Sequence, residues 1–291
     1  MPKTALVLNG CGAKGAFQFM AEKYAREVKG HSWDIIAGVS VGALNGAMLA
    51  MGKYRRLEEI WNTMSDEKLF GYRPKLWQFT KLAFGGKSIF SSAPLWRLID
   101  REIEPGKISI PLRICTVSLH TGEYLYFTPE DPNFKKAVLA STAIPIVWPP
   151  VDISFRFKGM VDGAVRNISP FGDVLDFEPE ELIIISCNPQ KPPRIDWPPR
   201  NILDIGRRAL ELASHEIFVT DCVEFMRINM VVKQAEKKGL ELCNEKGKPF
   251  KYYSYTMISP DEPLDDALDF SRKAIERSME AGWEKAKQVL G

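Results

Sequence analysis

Short runs of β-branched and aliphatic residues alternate along the chain with stretches in which apolar positions recur every three or four residues. These are the periods of buried strands and of amphipathic helices. The strand-like runs are ALVLN at 5–9, DIIAGV at 34–39, LRICTVSL at 112–119, EYLYF at 123–127, ISFRFK at 153–158, LIIIS at 182–186 and INMVV at 228–232. A helical pattern over 14–28 lies between the first two. Strand, helix, strand begins a βαβ unit, so the expected fold class is α/β, with a largely parallel central sheet covered by helices. Gly122 in HTGEYLYF marks a hairpin turn. Residues 263–290 place Ala267, Phe270, Ala274, Ile275, Met279, Trp283, Ala286 and Leu290 on one stripe, which predicts a packing helix.

The Pro-rich run NPQKPPRIDWPPRN at 188–201 favours extended backbone that neither helix nor sheet crosses. The chain beyond it supplies one strand-like run and several helices, so the expectation is a single domain over 1–291 with a long crossing loop. The apolar window IIAGVSVGALNGAMLAM at 35–51 is broken by Ser40 and Asn45 and is shorter than the roughly 18 consecutive apolar residues of a membrane span. Before Asn9 there is no apolar run long enough for a secretory signal.

Composition narrows the partners. An apolar fraction of 45% suffices for a sizeable core, and 39 Lys plus Arg nearly balance 37 Asp plus Glu. No whole-molecule field argues for nucleic acid. The five cysteines, at 11, 115, 187, 222 and 243, form no CxxC pair and no metal-like cluster with the three histidines. They read as buried thiols in a reducing compartment, and the expected location is cytoplasmic, with no metal or cofactor.

GCGAKG at 10–15, between a strand and a helix, fits the G-x-G-x-x-G phosphate fingerprint. A dinucleotide site also needs a carboxylate at the end of the second strand, and Asp34 instead begins that strand. At the strand's end stands GVSVG, Gly38 to Gly42, with Ser40 in the strand-to-helix setting of a nucleophile elbow. A serine needs a base. His31, His120 and His215 lack the loop signals of a triad, whereas Asp162, at the end of a short apolar run and ahead of Gly163, sits where parallel-sheet enzymes gather their chemistry. The bland reading of Asp162 is an Asp-Gly turn.

GCGAKG, GVSVG, ASTAIP at 140–145 and DGAVRNISP at 162–170, in that order, resemble the motifs of the patatin-like phospholipases. The resemblance extends past the Pro-rich run to NILDIGRRALEL and ISPDEPLDDALDFS, nearly the whole chain. It implies a three-layer α/β/α fold and a lipid acyl hydrolase with a Ser40–Asp162 dyad. It also implies an oxyanion hole from the amides of Gly10, Cys11 and Gly12, each donor worth about 3 kcal/mol. Gly15, Gly38, Gly42 and Gly163 are the supporting glycines. Lys14 matches the family's basic position and either orients the loop, approaches a lipid phosphate or is a solvated helix-start lysine. Cys11 replaces the family's middle glycine. Its Cβ penalises positive φ, so either φ there is negative or activity is reduced. A carboxylate with an ordinary pKa near 3.9 is a weak base at neutral pH, so the dyad needs shielding from solvent.

Residues 68–99 carry six Lys or Arg, no Asp or Glu and seven aromatics. Such a segment either lies against an anionic membrane as a peripheral lid over Ser40, or caps the sheet with its aromatics inward. Two other function classes use the same residues: acyl transfer through the same dyad, and non-enzymatic nucleotide or anion binding by the glycine loop.

Overall fold

Thr4–Leu8 (β1) and Ile35–Val39 (β2) are buried at every position, the mark of central strands covered on both faces. The computed structural model describes residues 3–71, 86–189, 191, 198, 201–245 and 247–291. Among these, β1 and β2 share one sheet with β3 (Leu112–Ser118), β4 (Tyr124–Phe127), β5 (Met160–Asp162), β6 (Glu181–Ile185) and β7 (Ser254–Ile258). The order is β4-β3-β2-β1-β6-β7, parallel from β3 to β7, with β4 and β5 antiparallel to β3.

The described helices are α1 (Gly15–Glu27), α2 (Val41–Ala50), α3 (Tyr54–Thr63), α4 (Asp66–Phe70), α5 (Ala93–Glu102), α6 (Phe134–Ser141), α7 (Gly172–Leu175), α8 (Ile202–Lys237) and α9 (Arg272–Leu290). Strand alternation divides the core. Leu6, Leu8 and Ile36 face the side covered by α1, α2 and α9. Ala5, Val7, Ile35 and Ala37 face Val174 of α7 and Phe218 and Cys222 of α8. The fold is therefore three-layer α/β/α.

β3 positions the site. Its residues up to Cys115 pair with β2, Val39 opposite Cys115, and beyond the end of β2 the same edge of β3 takes β5, with Asp162 opposite Thr116. Consecutive residues of one strand thus hold the last residue of β2 and the last residue of β5.

Three expectations are corrected. INMVV at 228–232 lies inside α8. Its neighbourhood follows a helical stripe of buried Phe218, Cys222, Asn229, Val232 and Ala235, which leaves Met230 and Val231 exposed. The strand of this region is β7 instead. ISFRFK at 153–158 is a tight return, in which the Ile153 N–H donates to Phe157 O at 2.9 Å, and the strand it leads to is β5. The last helix begins at Arg272, capped by Ser271 Oγ accepting from the Ala274 N–H at 3.3 Å, not at residue 263.

Residues 190, 192–197, 199 and 200 of the Pro-rich run lie outside the described residues, but β7 and α9, later in the chain, join β6 and α1. Residues 72–85 of the basic-aromatic segment also lie outside. In its described flanks, Phe70 packs on Phe90 and Trp148 with ring centroids 4.4 and 5.7 Å apart, while Lys68, Lys87 and Arg97 are exposed. Among the described residues no helix is long and apolar enough to cross a membrane.

Candidate active site

The turn from β2 into α2 puts Ser40 at φ 57°, ψ −129°. A non-glycine residue rarely adopts such a backbone, which costs on the order of 1–3 kcal/mol and persists only where the surroundings enforce it. The enforcement is visible. A Cβ on Gly42 would stand 2.4 Å from Leu8 O, and one on Gly38 would stand 2.3 Å from Gly42 O, so the turn closes only because both positions lack side chains. The Ser40 N–H donates to Ser141 Oγ at 2.9 Å.

Asp162 is 2% exposed at the end of β5. One carboxylate oxygen accepts from the Ala164 N–H at 2.9 Å, and the Ser40 hydroxyl lines the same cavity. Its own N–H donates to Ala143 O at 3.1 Å. Burial raises its pKa from 3.8 to about 7, against the opposing pull of the Ser40 hydroxyl and the Ala164 N–H. The weak base expected from an exposed carboxylate is thereby brought to the pH range of general acid–base chemistry. Gly163 comes next in the chain, and a Cβ there would meet Cys115 O at 2.7 Å.

The glycine loop runs from the end of β1 into a 3-10 turn, Gly12–Lys14, that opens α1 at Gly15. Gly10 packs on Ser40, and a Cβ on it would lie 3.2 Å from the Ser40 Cβ. Its N–H donates to Ile168 O at 3.2 Å. Cys11 has φ −160°, so the side chain is accommodated, and the positive φ of the loop falls on Gly12 at 58°. Among the described residues the amides of Cys11 and Gly12 have no hydrogen-bond partner. Lys14 is buried and lines the cavity beside Ser40, so it is not a solvated helix-start lysine.

Motif segments given no individual roles in the sequence prove to be ties. ASTAIP holds the serine through Ser141 and the aspartate through Ala143 O. NISP holds the glycine loop through Ile168 O, and its Ser169 Oγ accepts from Asn9 Nδ2 at 2.8 Å. Their fixed order was the available signal.

Ser40, Gly12 and Ile144 line two cavities at once. One, of about 80 Å³, is apolar and reaches Leu44, Met48, Trp61 and Ile99. The other, of about 330 Å³, contains Lys14, Asp162, Asn188, Glu211 and His215 among its walls. His215 Nε2 lies 3.0 Å from Pro189 O. His120 sits in the exposed hairpin turn, and His31 stacks on Trp33. Among the described residues no group of three or more His, Cys, Asp or Glu is placed to hold a metal ion.

A mostly parallel α/β/α sheet with a serine on a strained strand-to-helix turn defines the class of nucleophile-elbow proteins. A family model described as patatin-like phospholipase matches residues 6–175, and the chain belongs to that family. It is 30% identical over 171 residues to a cGAMP-activated phospholipase of Escherichia coli (strain TW11681), covering 50% of this chain and 47% of that one. It is 28% identical over 199 residues to a cGAMP-activated phospholipase of Vibrio cholerae serotype O1 (strain ATCC 39315 / El Tor Inaba N16961), covering 57% of this chain and 55% of that one. The chain thus spans about half the length of these relatives. Among solved structures, VipD from Legionella pneumophila aligns with a TM-score of 0.52 at 13% identity, over 99% of this chain and 66% of that one. That likeness concerns the fold.

Proposed function

We propose that the protein is a lipid acyl hydrolase working through a Ser40–Asp162 dyad and an acyl-enzyme. The observation that carries this reading is a serine on a strained strand-to-helix turn lining the same cavity as the buried Asp162 carboxylate, whose pKa burial raises to about 7. Ser40 Oγ attacks the ester carbonyl as Asp162 takes its proton. Asp162 then protonates the departing alcohol, and later activates the water that releases the acid. The amides of Cys11 and Gly12, at the start of α1, stabilise the oxyanion, while the Gly10 amide is engaged with Ile168 O and fixes the loop.

The two cavities meeting at Ser40 support a lipid ester as substrate. The acyl chain enters the apolar one, and the polar leaving portion occupies the one lined by Lys14 and Asn188. The relatives' description as phospholipases makes a phospholipid or lysophospholipid the first substrate to assay. A fluorophosphonate probe should label Ser40, and Ser40→Ala should lose both labelling and turnover across a panel of phospholipids, lysophospholipids and simple fatty esters. Unchanged hydrolysis by Ser40→Ala would overturn the assignment.

A further inference from the structure

Cys11 and Cys187 are free thiols with their sulfurs 2.6 Å apart. A disulfide needs its two sulfurs brought together, and these two side chains already meet at their sulfurs. The backbone keeps them there. Cys187 stands just past β6, and its Sγ lies 3.2 Å from Lys14 O at the start of α1. The Asn9 N–H donates to Ile185 O at 3.3 Å, and Gln18 Nε2 donates to Asn9 O at 2.7 Å. Cys187 is fully buried, whereas Cys11 forms part of the wall of the larger cavity beside Ser40.

We propose that Cys11 and Cys187 form a reversible disulfide that fastens the glycine loop to the end of β6. The oxidant is a peroxide small enough to enter the cavity. The Cys11 thiolate attacks one peroxide oxygen. The S–O bond forms, the O–O bond breaks, and the departing oxygen takes a proton and leaves as water or an alcohol. Cys187 then attacks the Cys11 sulfur. The S–S bond forms and the S–O bond breaks, releasing water. The two thiols lose two electrons and two protons, and a dithiol reverses the change. Burial and the neighbouring Cys187 hold the Cys11 thiol well above its ordinary pKa. Thiolate is scarce, so the rate rises about tenfold per pH unit from 7 to 9. The closed loop spans 176 residues of chain, and fastening it should raise the melting temperature by on the order of 10 °C.

The bond itself does not depend on Ser40 being the nucleophile; only its consequence for catalysis rests on the proposed function. The test uses hydrogen peroxide at pH 7–9 on the full chain carrying Cys243→Ser, which removes the exposed thiol of the five. Thiol titration in denaturant should fall from four to two. Digestion should yield one linked pair of peptides, Cys11 to Cys187, two hydrogens lighter than the separate peptides, and dithiothreitol should restore both the thiols and the lower melting point. In Cys187→Ser, Cys11 should stop at sulfenic acid, trapped by dimedone, with no rise in melting temperature. Four thiols persisting at pH 9, a link between other cysteines, or a dimedone adduct on Cys11 with Cys187 intact would overturn the proposal. Peptide mapping needs no variant of the pair, so misfolding of Cys187→Ser would not obscure the answer. Fluorophosphonate labelling of Ser40 should survive to a higher temperature in the oxidised form. Absence of labelling in both forms would count against the dyad and leave the bond standing.

Discussion

Asp162→Asn should stabilise the fold while removing the proposed ester hydrolysis, and the size of the gain should depend on pH in a defined way. In the wild type the carboxyl has a pKa of about 7 against an ordinary value of 3.8, with burial as the leading cause. Between those two pH values the native state keeps a proton that the unfolded chain has released. Stability therefore falls as pH rises through that window and levels off above about 7. At about 1.4 kcal/mol per unit, the ionised group costs on the order of 4 kcal/mol above pH 7 and nothing below pH 4. Asparagine keeps the shape, its oxygen can accept from the Ala164 N–H, and its amide can donate to Ser40 Oγ.

The gap between variant and wild type should be near zero at pH 4, open steadily from there to pH 7, and reach about 10 °C in melting temperature near pH 8. Differential scanning fluorimetry across pH 4.5–8.5 reads it directly. Loss of the base should lower ester hydrolysis by about 10³-fold or more, and the wild-type kcat/KM should fall tenfold per unit below pH 7. A melting difference that does not vary with pH, or hydrolysis by Asp162→Asn within tenfold of wild type, would refute the claim that a buried, ionising carboxylate is the base.

Other substitutions probe single features. Ser40→Gly should be more stable than Ser40→Ala by about 1–2 kcal/mol in urea denaturation, because φ 57° strains any residue with a Cβ; equal midpoints would show that the turn is unstrained. Ser141→Ala orphans the buried Ser40 N–H, which should cost about 1–3 kcal/mol of stability and lower kcat with little change in KM. Leu44→Phe narrows the apolar cavity, so kcat/KM should drop more for long-chain than for short-chain esters; a uniform loss would place the acyl chain elsewhere.

Much of this architecture is legible in the sequence where the signal is local. The β1 and β2 runs are mostly apolar because both faces are covered, and the glycines of GVSVG announce a turn that no side chain could close. Legibility fails where tertiary contacts decide. INMVV has strand-like composition, yet its residues complete a helical stripe that meets the sheet through Phe218 and Cys222. SYTMI at β7 carried an aromatic and β-branched signal that the preceding run obscured. Periodicity extends the last helix back through Ala267, but Ala267 O is needed by the Ala13 N–H at 2.7 Å, which ties the glycine loop to a non-helical segment. No pattern within 263–271 encodes a partner some 250 positions away.

The site concentrates two unfavourable features, a strained serine and a buried carboxyl, and the sheet is what holds them together. Val39 opposite Cys115 and Asp162 opposite Thr116 make one step along β3 the ruler for their separation. Changing the register of β5 by one residue would turn Asp162 to the other face of the sheet, away from Ser40. Ser141 and Ala143 then fix the two backbones from one short segment at the end of α6, so a shift of that segment moves Ser40 and Asp162 together. The relative placement of Ser40 and Asp162 is therefore protected from small motions of the flanking helices. The glycine loop is tied separately, through Ile168 O and beside Cys187, so it can change its stiffness while the dyad keeps its geometry. On the proposed mechanism, a change at the Cys11–Cys187 pair should accordingly alter stabilisation of the oxyanion more than the pH dependence set by Asp162.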